Sequence, residues 1–170
     1  YRYTVETIIK KGGKTIDKYL TPFGIRSVKF DKDKGFFLNN KHLKLKGMCL
    51  HQDAGCLGTA VPDRAYERRL LILKEFGTNA IRCSHNPPSP EFLNYCDSIG
   101  FLVIDEAFDK WKSGYYEEFF DSSWQQDISD MVIRDRNHPS VILWSIGNEL
   151  AEAKLKDDTG IERAGMLQDF

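Results

Sequence analysis

The sequence has no apolar run near the roughly 18 residues that a membrane-crossing helix requires, so no helical membrane span is expected. It has no Lys/Arg cluster either. Its 24 basic and 25 acidic residues leave a formal charge of -1, which gives a polyanion nothing to grip and makes nucleic acid a poor partner. No tract of low complexity occurs, and 41% hydrophobic with 29% charged residues is the balance of a folded chain rather than a disordered one. Cys49, Cys56, Cys83 and Cys96 form no C-x-x-C pair, and three of them lie in or beside apolar segments, so reduced, buried thiols are expected. No H-E-x-x-H helix pair offers a metal site, and neither a metal nor a cofactor is expected. Tyr1-Arg2-Tyr3 does not open a signal peptide. The chain begins without Met, in strand-like sequence, so a true N-terminus and any targeting signal are expected upstream; the location, cytoplasmic or extracytoplasmic, stays open.

What is present begins with alternation. Tyr1, Tyr3, Val5, Thr7 and Ile9 alternate with Arg2, Thr4, Glu6, Ile8 and Lys10, Gly12-Gly13 interrupts, and Thr15 to Leu20 resumes the extended pattern, which predicts a hairpin. Ile25 to Phe30 reads as another strand. Phe36-Phe37-Leu38 leads through Asn39-Asn40 into Leu43-Lys44-Leu45, a second hairpin with a tight polar turn.

After Gly47 short apolar runs alternate with segments of helical spacing. Met48-Cys49-Leu50, Ala80-Ile81, Phe101 to Ile104 and Val141 to Trp144 read as buried strands. Between them a helix from about Asp63 carries Tyr66, Leu70, Leu73 and Phe76 on one face and stops at Gly77. Ser89-Pro90 supplies a helix start, with Phe92, Leu93 and Cys96 inward and Gly100 as the stop. Trp124, Ile128, Met131 and Val132 line a third helix, and Ala151 to Phe170 leaves room for one more. Strand and helix in alternation imply a parallel sheet covered by helices, either open and doubly wound or closed into a barrel. The barrel is favoured, because no Gly-rich phosphate loop follows the first strand and polar residues gather just after each strand's C-terminal end.

Those strand ends carry His51-Gln52-Asp53, then Arg82 to Asn86, then Asp105-Glu106 with Asp109 and Trp111, then Asn148-Glu149. A barrel would bring them to one mouth. A carboxylate acts as a general acid near neutral pH only if an apolar wall or a second negative charge raises its pKa, and Glu149 has Trp144, Ile146 and Leu150 near it in sequence. Asn148 suits a sugar hydroxyl, although Asn148-Glu149 could equally cap the following helix. Arg82 needs an anion, either a second active-site carboxylate or a structural pair with Asp105 or Glu106. His51 and His85 suit hydroxyls, the alternative being core histidines satisfied by neighbours. Trp111 reads evenly as a stacking surface for a sugar ring or as loop packing.

These segments resemble glycoside hydrolase family 2, the family of β-galactosidases, β-glucuronidases and β-mannosidases. Lys46 to Asp53, Asn79 to His85 and Val103 to Asp109 resemble its first three barrel strands, and Arg134 to Glu149 is similar to its acid/base signature over the whole length. The resemblance implies an α/β fold: residues 1–26 as the last strands of an immunoglobulin-like β-sandwich, and residues 27–170 as the first half of a (β/α)8 TIM barrel. It implies a retaining exo-β-glycosidase, with Glu149 as the acid/base and Asn148 on the sugar's 2-hydroxyl. His51, Asp53 and His85 would contact other hydroxyls, and Arg82 would orient a nucleophile Glu lying outside this chain. The partners so implied are a carbohydrate substrate and the remainder of the barrel, or self-association in its place. Two departures stand out. Gln52 replaces the Glu or His of many members, and the metal-binding residues that some β-galactosidases place after the third strand have no counterpart around Asp109-Lys110-Trp111. The His51 to Gly58 loop looks most like galactosidase-type members. A non-catalytic carbohydrate-binding relative that has lost its nucleophile is the competing expectation.

Overall fold

The computed structural model describes residues 1–111, 114–150 and 158–170. Strands β1 (Arg2–Lys11) and β2 (Lys14–Gly24) form an antiparallel hairpin around Gly12-Gly13, every residue of β1 being exposed. Strands β3 (Val28–Asp31), β4 (Gly35–Leu38) and β5 (Lys41–His42) form a second antiparallel sheet. Asn39 and Asn40 turn the chain with φ of 50° and 62°, the conformation of a two-residue hairpin turn. So tight a turn makes β5 start at Lys41, which corrects the expected strand at Leu43 to Leu45. Leu43 and Leu45 instead pack, with Val28, Phe36 and Leu38, against Ala80 and Leu102 at the N-terminal ends of two parallel strands. The small sheet thus covers the end of the parallel sheet opposite the polar strand ends.

The parallel sheet contains β6 (Gly47–His51), β7 (Ala80–Ser84), β8 (Leu102–Glu106) and β9 (Val141–Ser145), in that order. Helices α1 (Asp63–Glu75), α2 (Pro90–Ile99) and α3 (Glu117–Asp135) connect them, and α4 (Asp158–Asp169) follows. Residues 151–157 of the last expected helix lie outside the described residues. A doubly wound sheet reverses its strand order at a switch point, whereas strictly sequential order is that of a barrel wall. The sequence-based choice of a barrel therefore holds.

Parallel strands alternate their side chains between two faces. Ile81, Cys83, Val103 and Val141 join Tyr66 and Leu70 of α1 and Phe92, Leu93 and Cys96 of α2 in one core. Arg82, Glu106 and Ser145 meet on the other face. Cys83 and Cys96 are buried as expected, and burial pushes both thiols up, keeping them protonated. Cys49 and Cys56 are exposed, against expectation: Cys49 lies in register with Arg82, on its side of the sheet, and Cys56 sits in a short 3-10 turn, Gly55–Leu57.

Helix α2 starts where Ser89 Oγ accepts a bond from Phe92 N, with Pro90 in its first turn, and ends at Gly100, whose φ of 84° a Cβ would oppose. Helix α3 reaches further back than its apolar spacing suggests, and Glu117 and Glu118 complement the positive end of its dipole. A second core forms below the β8–α3 loop from Phe108, Trp111, Phe120, Trp124 and Met131. The segment from α3 to β9 is tied to α2. Asp97 accepts the Ser140 backbone N–H at 2.9 Å and pairs with His138 Nδ1 at 2.7 Å, while Arg134 grips Asp135 and the Pro88 carbonyl.

Candidate active site

The polar residues at the strand ends are organised around Glu106, whose side chain is fully buried. Arg82 donates to it twice, Nε to Oε2 at 2.8 Å and a terminal nitrogen to Oε1 at 3.0 Å. Ser145 Oγ donates to Oε2 at 2.8 Å, and His85 Nδ1 lies 2.7 Å from Oε1. A carboxylate only accepts, so His85 carries a hydrogen on Nδ1, and Nε2 is the ring's remaining hydrogen-bonding atom. With both oxygens taken up, Glu106 organises the site rather than reacting in it. Within this chain the anion that Arg82 meets is thus Glu106, one of the two partners named for a structural pair. The sequence left Asp105 and Glu106 open as the partner, although alternation carried a signal: Arg82 pairs in register with Ile104, and Glu106 is the next residue on the same face.

Arg82 also donates to Asn148 Oδ1 at 2.9 Å, which carries the network from β7 and β8 to the end of β9. Asn148 in turn donates its Nδ2 to Asp109 Oδ1 at 2.8 Å. Partial burial works against ionisation of Asp109, but the bond from Asn148 and the charge of Lys110 outweigh it and hold the carboxyl below its ordinary value. Lys110 Nζ lies 3.0 Å from Asp109 Oδ2 and 3.4 Å from Glu149 Oε2, and these contacts hold its ammonium above its ordinary value.

Glu149 is 66% exposed at its side chain, immediately after this network, with a backbone φ of 48°. At this exposure the carboxyl lacks the apolar wall expected from Trp144, Ile146 and Leu150, and its charged contact is the Lys110 ammonium, so the second negative charge that a general acid requires has to come from outside the described residues. The rings of His51 and His85 meet edge to face, with centroids 5.1 Å apart, so the ends of β6 and β7 join the same mouth. Asp53 is exposed on the loop after β6. Trp111 does not line this mouth. It is fully buried, its indole N–H donates to the Ile146 carbonyl at 2.8 Å, and its ring packs near Phe120, so no sugar can reach its face. The stacking expectation for Trp111 is therefore replaced by the packing one. The structure brings Arg82, His85, Asn148 and Glu149 together with His51 beside them, and adds Glu106, Ser145, Asp109 and Lys110.

The family model for the TIM barrel domain of family 2 glycosyl hydrolases matches residues 28–161. A β-galactosidase of Bacteroides ovatus, BoGH2A, is 49% identical over all of this chain and 21% of its own length. A putative β-glucuronidase of Formosa agariphila is 44% identical over 86% of this chain and 15% of its own length. Among solved structures, a glycosyl hydrolase family 2 member from Bacteroides cellulosilyticus superposes with a TM-score of 0.89 at 47% identity, covering 99% of this chain and 23% of that one. The chain spans about a fifth of the length of these relatives. With four sequential barrel strands and this match over most of its length, the chain belongs to glycoside hydrolase family 2.

Proposed function

We propose that the protein carrying this chain is a retaining exo-β-glycosidase, with Glu149 as its general acid/base. The observation that carries the reading is the placement of Glu149: exposed at the end of β9, directly after an asparagine whose amide is fixed at both ends. Retaining hydrolysis uses two carboxyl groups about 5 Å apart. One attacks the anomeric carbon to form a glycosyl-enzyme. The other protonates the departing oxygen and then takes a proton from the incoming water. Glu149 serves as the second of these, and a Glu in the part of the barrel beyond this chain serves as the first. Asn148 donates to the sugar's 2-hydroxyl. His51, Asp53 and His85 hold further hydroxyls, and Arg82 orients that nucleophile while also holding Asn148. The exposed hairpin of β1 and β2 belongs, on this reading, to a neighbouring β-sandwich.

Terminal β-D-galactosides are the proposed substrates, supported by the 49% identity to a β-galactosidase; the 44% identity to a putative β-glucuronidase favours glucuronides as the second choice. Assay of the complete enzyme on aryl β-galactoside, β-glucuronide and β-mannoside separates these. Glu149→Gln is expected to lower kcat/KM by about 100-fold or more on a poor leaving group, and far less on an activated aryl group that needs little protonation. Full activity of that variant on the poor leaving group would show the acid/base assignment to be wrong. Binding without turnover by the complete wild-type protein would favour the non-catalytic alternative.

A further inference from the structure

Three consecutive residues leave the end of β8, and each meets the turn that leaves the end of β9. Asp109 meets Asn148 twice, its backbone carbonyl accepting the Asn148 backbone N–H at 2.7 Å and its carboxylate Oδ1 accepting the side-chain amide at 2.8 Å. Lys110 Nζ meets Glu149 Oε2 at 3.4 Å while resting on Asp109. Trp111 Nε1 donates to Ile146 O at 2.8 Å, and a Cβ on Gly147 would sit 3.1 Å from that nitrogen and 2.9 Å from Leu150 Cδ2. A side chain at Gly147 would crowd both, so the indole and Leu150 would have to give way.

The turn requires such support. Strand pairing between β8 and β9 ends at Glu106 and Ser145, so the sheet ladder does not reach Asn148 or Glu149. Glu149 also has a φ of 48°, a left-handed conformation that residues with a Cβ disfavour. It persists only where surrounding contacts over-determine it.

We propose that Asp109, Lys110 and Trp111 form a positioning template for the acid/base pair, in which Asp109 orients Asn148 and Lys110 orients Glu149. The inference rests on the reading of Asn148 as the 2-hydroxyl contact and Glu149 as the acid/base. Its chemical content is directional. Arg82 only donates and the Asp109 carboxylate only accepts, so the Asn148 amide cannot be flipped without setting donor against donor and acceptor against acceptor. One N–H of Nδ2 is committed to Asp109, and in the proposed template the other donates to the 2-hydroxyl oxygen, while Oδ1 keeps one lone pair beyond the bond from Arg82.

The test uses the complete enzyme and the aryl β-glycoside it cleaves fastest, together with the 2-deoxy counterpart. Asn148→Ala and Asp109→Ala are each expected to lower kcat/KM about tenfold on the 2-hydroxy substrate and less than about threefold on the 2-deoxy one, the loss of one hydrogen bond made through the same hydroxyl. If Asp109→Ala does not fold, Asp109→Asn keeps an accepting oxygen but loses the charge. It is expected to show the same dependence on the 2-hydroxyl at about threefold. Lys110→Met is expected to slow a poor leaving group about tenfold and an activated one less than about threefold, with Lys110→Arg restoring the rate. Equal losses on every substrate, as from general damage to the fold, would overturn the template. Dependence on the 2-hydroxyl for Asn148→Ala but not for the Asp109 variants overturns the Asp109 assignment alone. Its absence from Asn148→Ala refutes the reading of Asn148 and, with it, the Asp109 assignment.

Discussion

Arg82 and Glu106 meet in a fork-to-fork pair, bonded at 2.8 Å and 3.0 Å, that joins the second and third barrel strands beneath the mouth. Glu106 is fully buried and takes two further contacts, from His85 and Ser145, so its charge is offset on every side. Removing one member of such a pair leaves the other uncompensated, which costs more than the pair itself contributes. Glu106→Ala is therefore expected to destabilise the complete protein by about 3 kcal/mol, near the low end for a buried pair because Arg82 keeps a third of its side-chain surface in contact with solvent. Glu106→Gln, which can still accept from Arg82, is expected to cost less. Denaturant unfolding of both variants measures this. Equal stability of wild type and Glu106→Ala would mean that the pair does not anchor the strands.

Asp105 faces the opposite way, fully buried, and its carboxyl is pushed up to about 8 first by burial and then by the neighbouring Asp135, with Arg134 opposing. The raised value makes the folded state bind a proton that the unfolded chain has released above its ordinary value of 3.8. Below about pH 4 both states are protonated, and Asp105 contributes no pH dependence. Between about pH 4 and 8 the contribution of Asp105 to stability is expected to fall as pH rises, with a slope of up to about 1.4 kcal/mol per unit, and to level off above the folded value. Asp105→Asn carries no such proton. Its stability relative to wild type is expected to improve steadily from pH 5 to pH 8, read from denaturant midpoints at each pH. A difference that does not change with pH would place the proton elsewhere.

Much of this architecture was legible because its signals are local. Apolar runs marked the four parallel strands, and Ser89-Pro90 and Gly100 marked both ends of α2. Local windows lost what depends on distant partners. The run from Phe101 to Ile104 ended too early because Asp105 and Glu106 look like a strand's polar exit, yet both lie within β8 at zero exposure. Their neighbours, Asp135 for one and Arg82, His85 and Ser145 for the other, come from elements far along the chain. The same limit applies to the motif from Arg134 to Ser140, in which Arg134 reaches the Pro88 carbonyl before α2 and His138 and the Ser140 backbone N–H meet Asp97 of α2. Trp111 followed this rule too, since an aromatic residue after a strand end gives no local sign of whether its face is open.

The cap at Ser89 offers a small, local test. Its hydroxyl accepts the Phe92 N–H at 3.2 Å, and Phe92 and Leu93 then enter the core against Ile81 and Val103. Ser89→Ala is expected to cost about 1 kcal/mol, and Ser89→Asp to retain most of that stability by offering a similar oxygen next to the helix dipole. Unfolding midpoints of the two variants decide between a working cap and an incidental contact; identical midpoints would indicate the latter.

The parallel sheet has two outer strands, β6 and β9, each paired on one side only within the described sheet. Met48 on β6 is half exposed, and Leu143 and Trp144 on β9 keep 36% of their surfaces accessible. Ile133 of α3 and Met166 and Phe170 at the last helix add further apolar surface. Unpaired strand edges next to exposed apolar side chains recruit other strands, and a closed barrel removes both edges. The 170 residues expressed alone are thus expected to self-associate, and to do so more as salt rises, because apolar burial rather than charge drives the contact. Sedimentation at several concentrations measures the assembly. Co-expression with the remaining barrel segment is expected to return a single heterodimer, since the same edges then find their own partners. A stable, well-folded monomer at high concentration would show that β6 and β9 are protected in some other way.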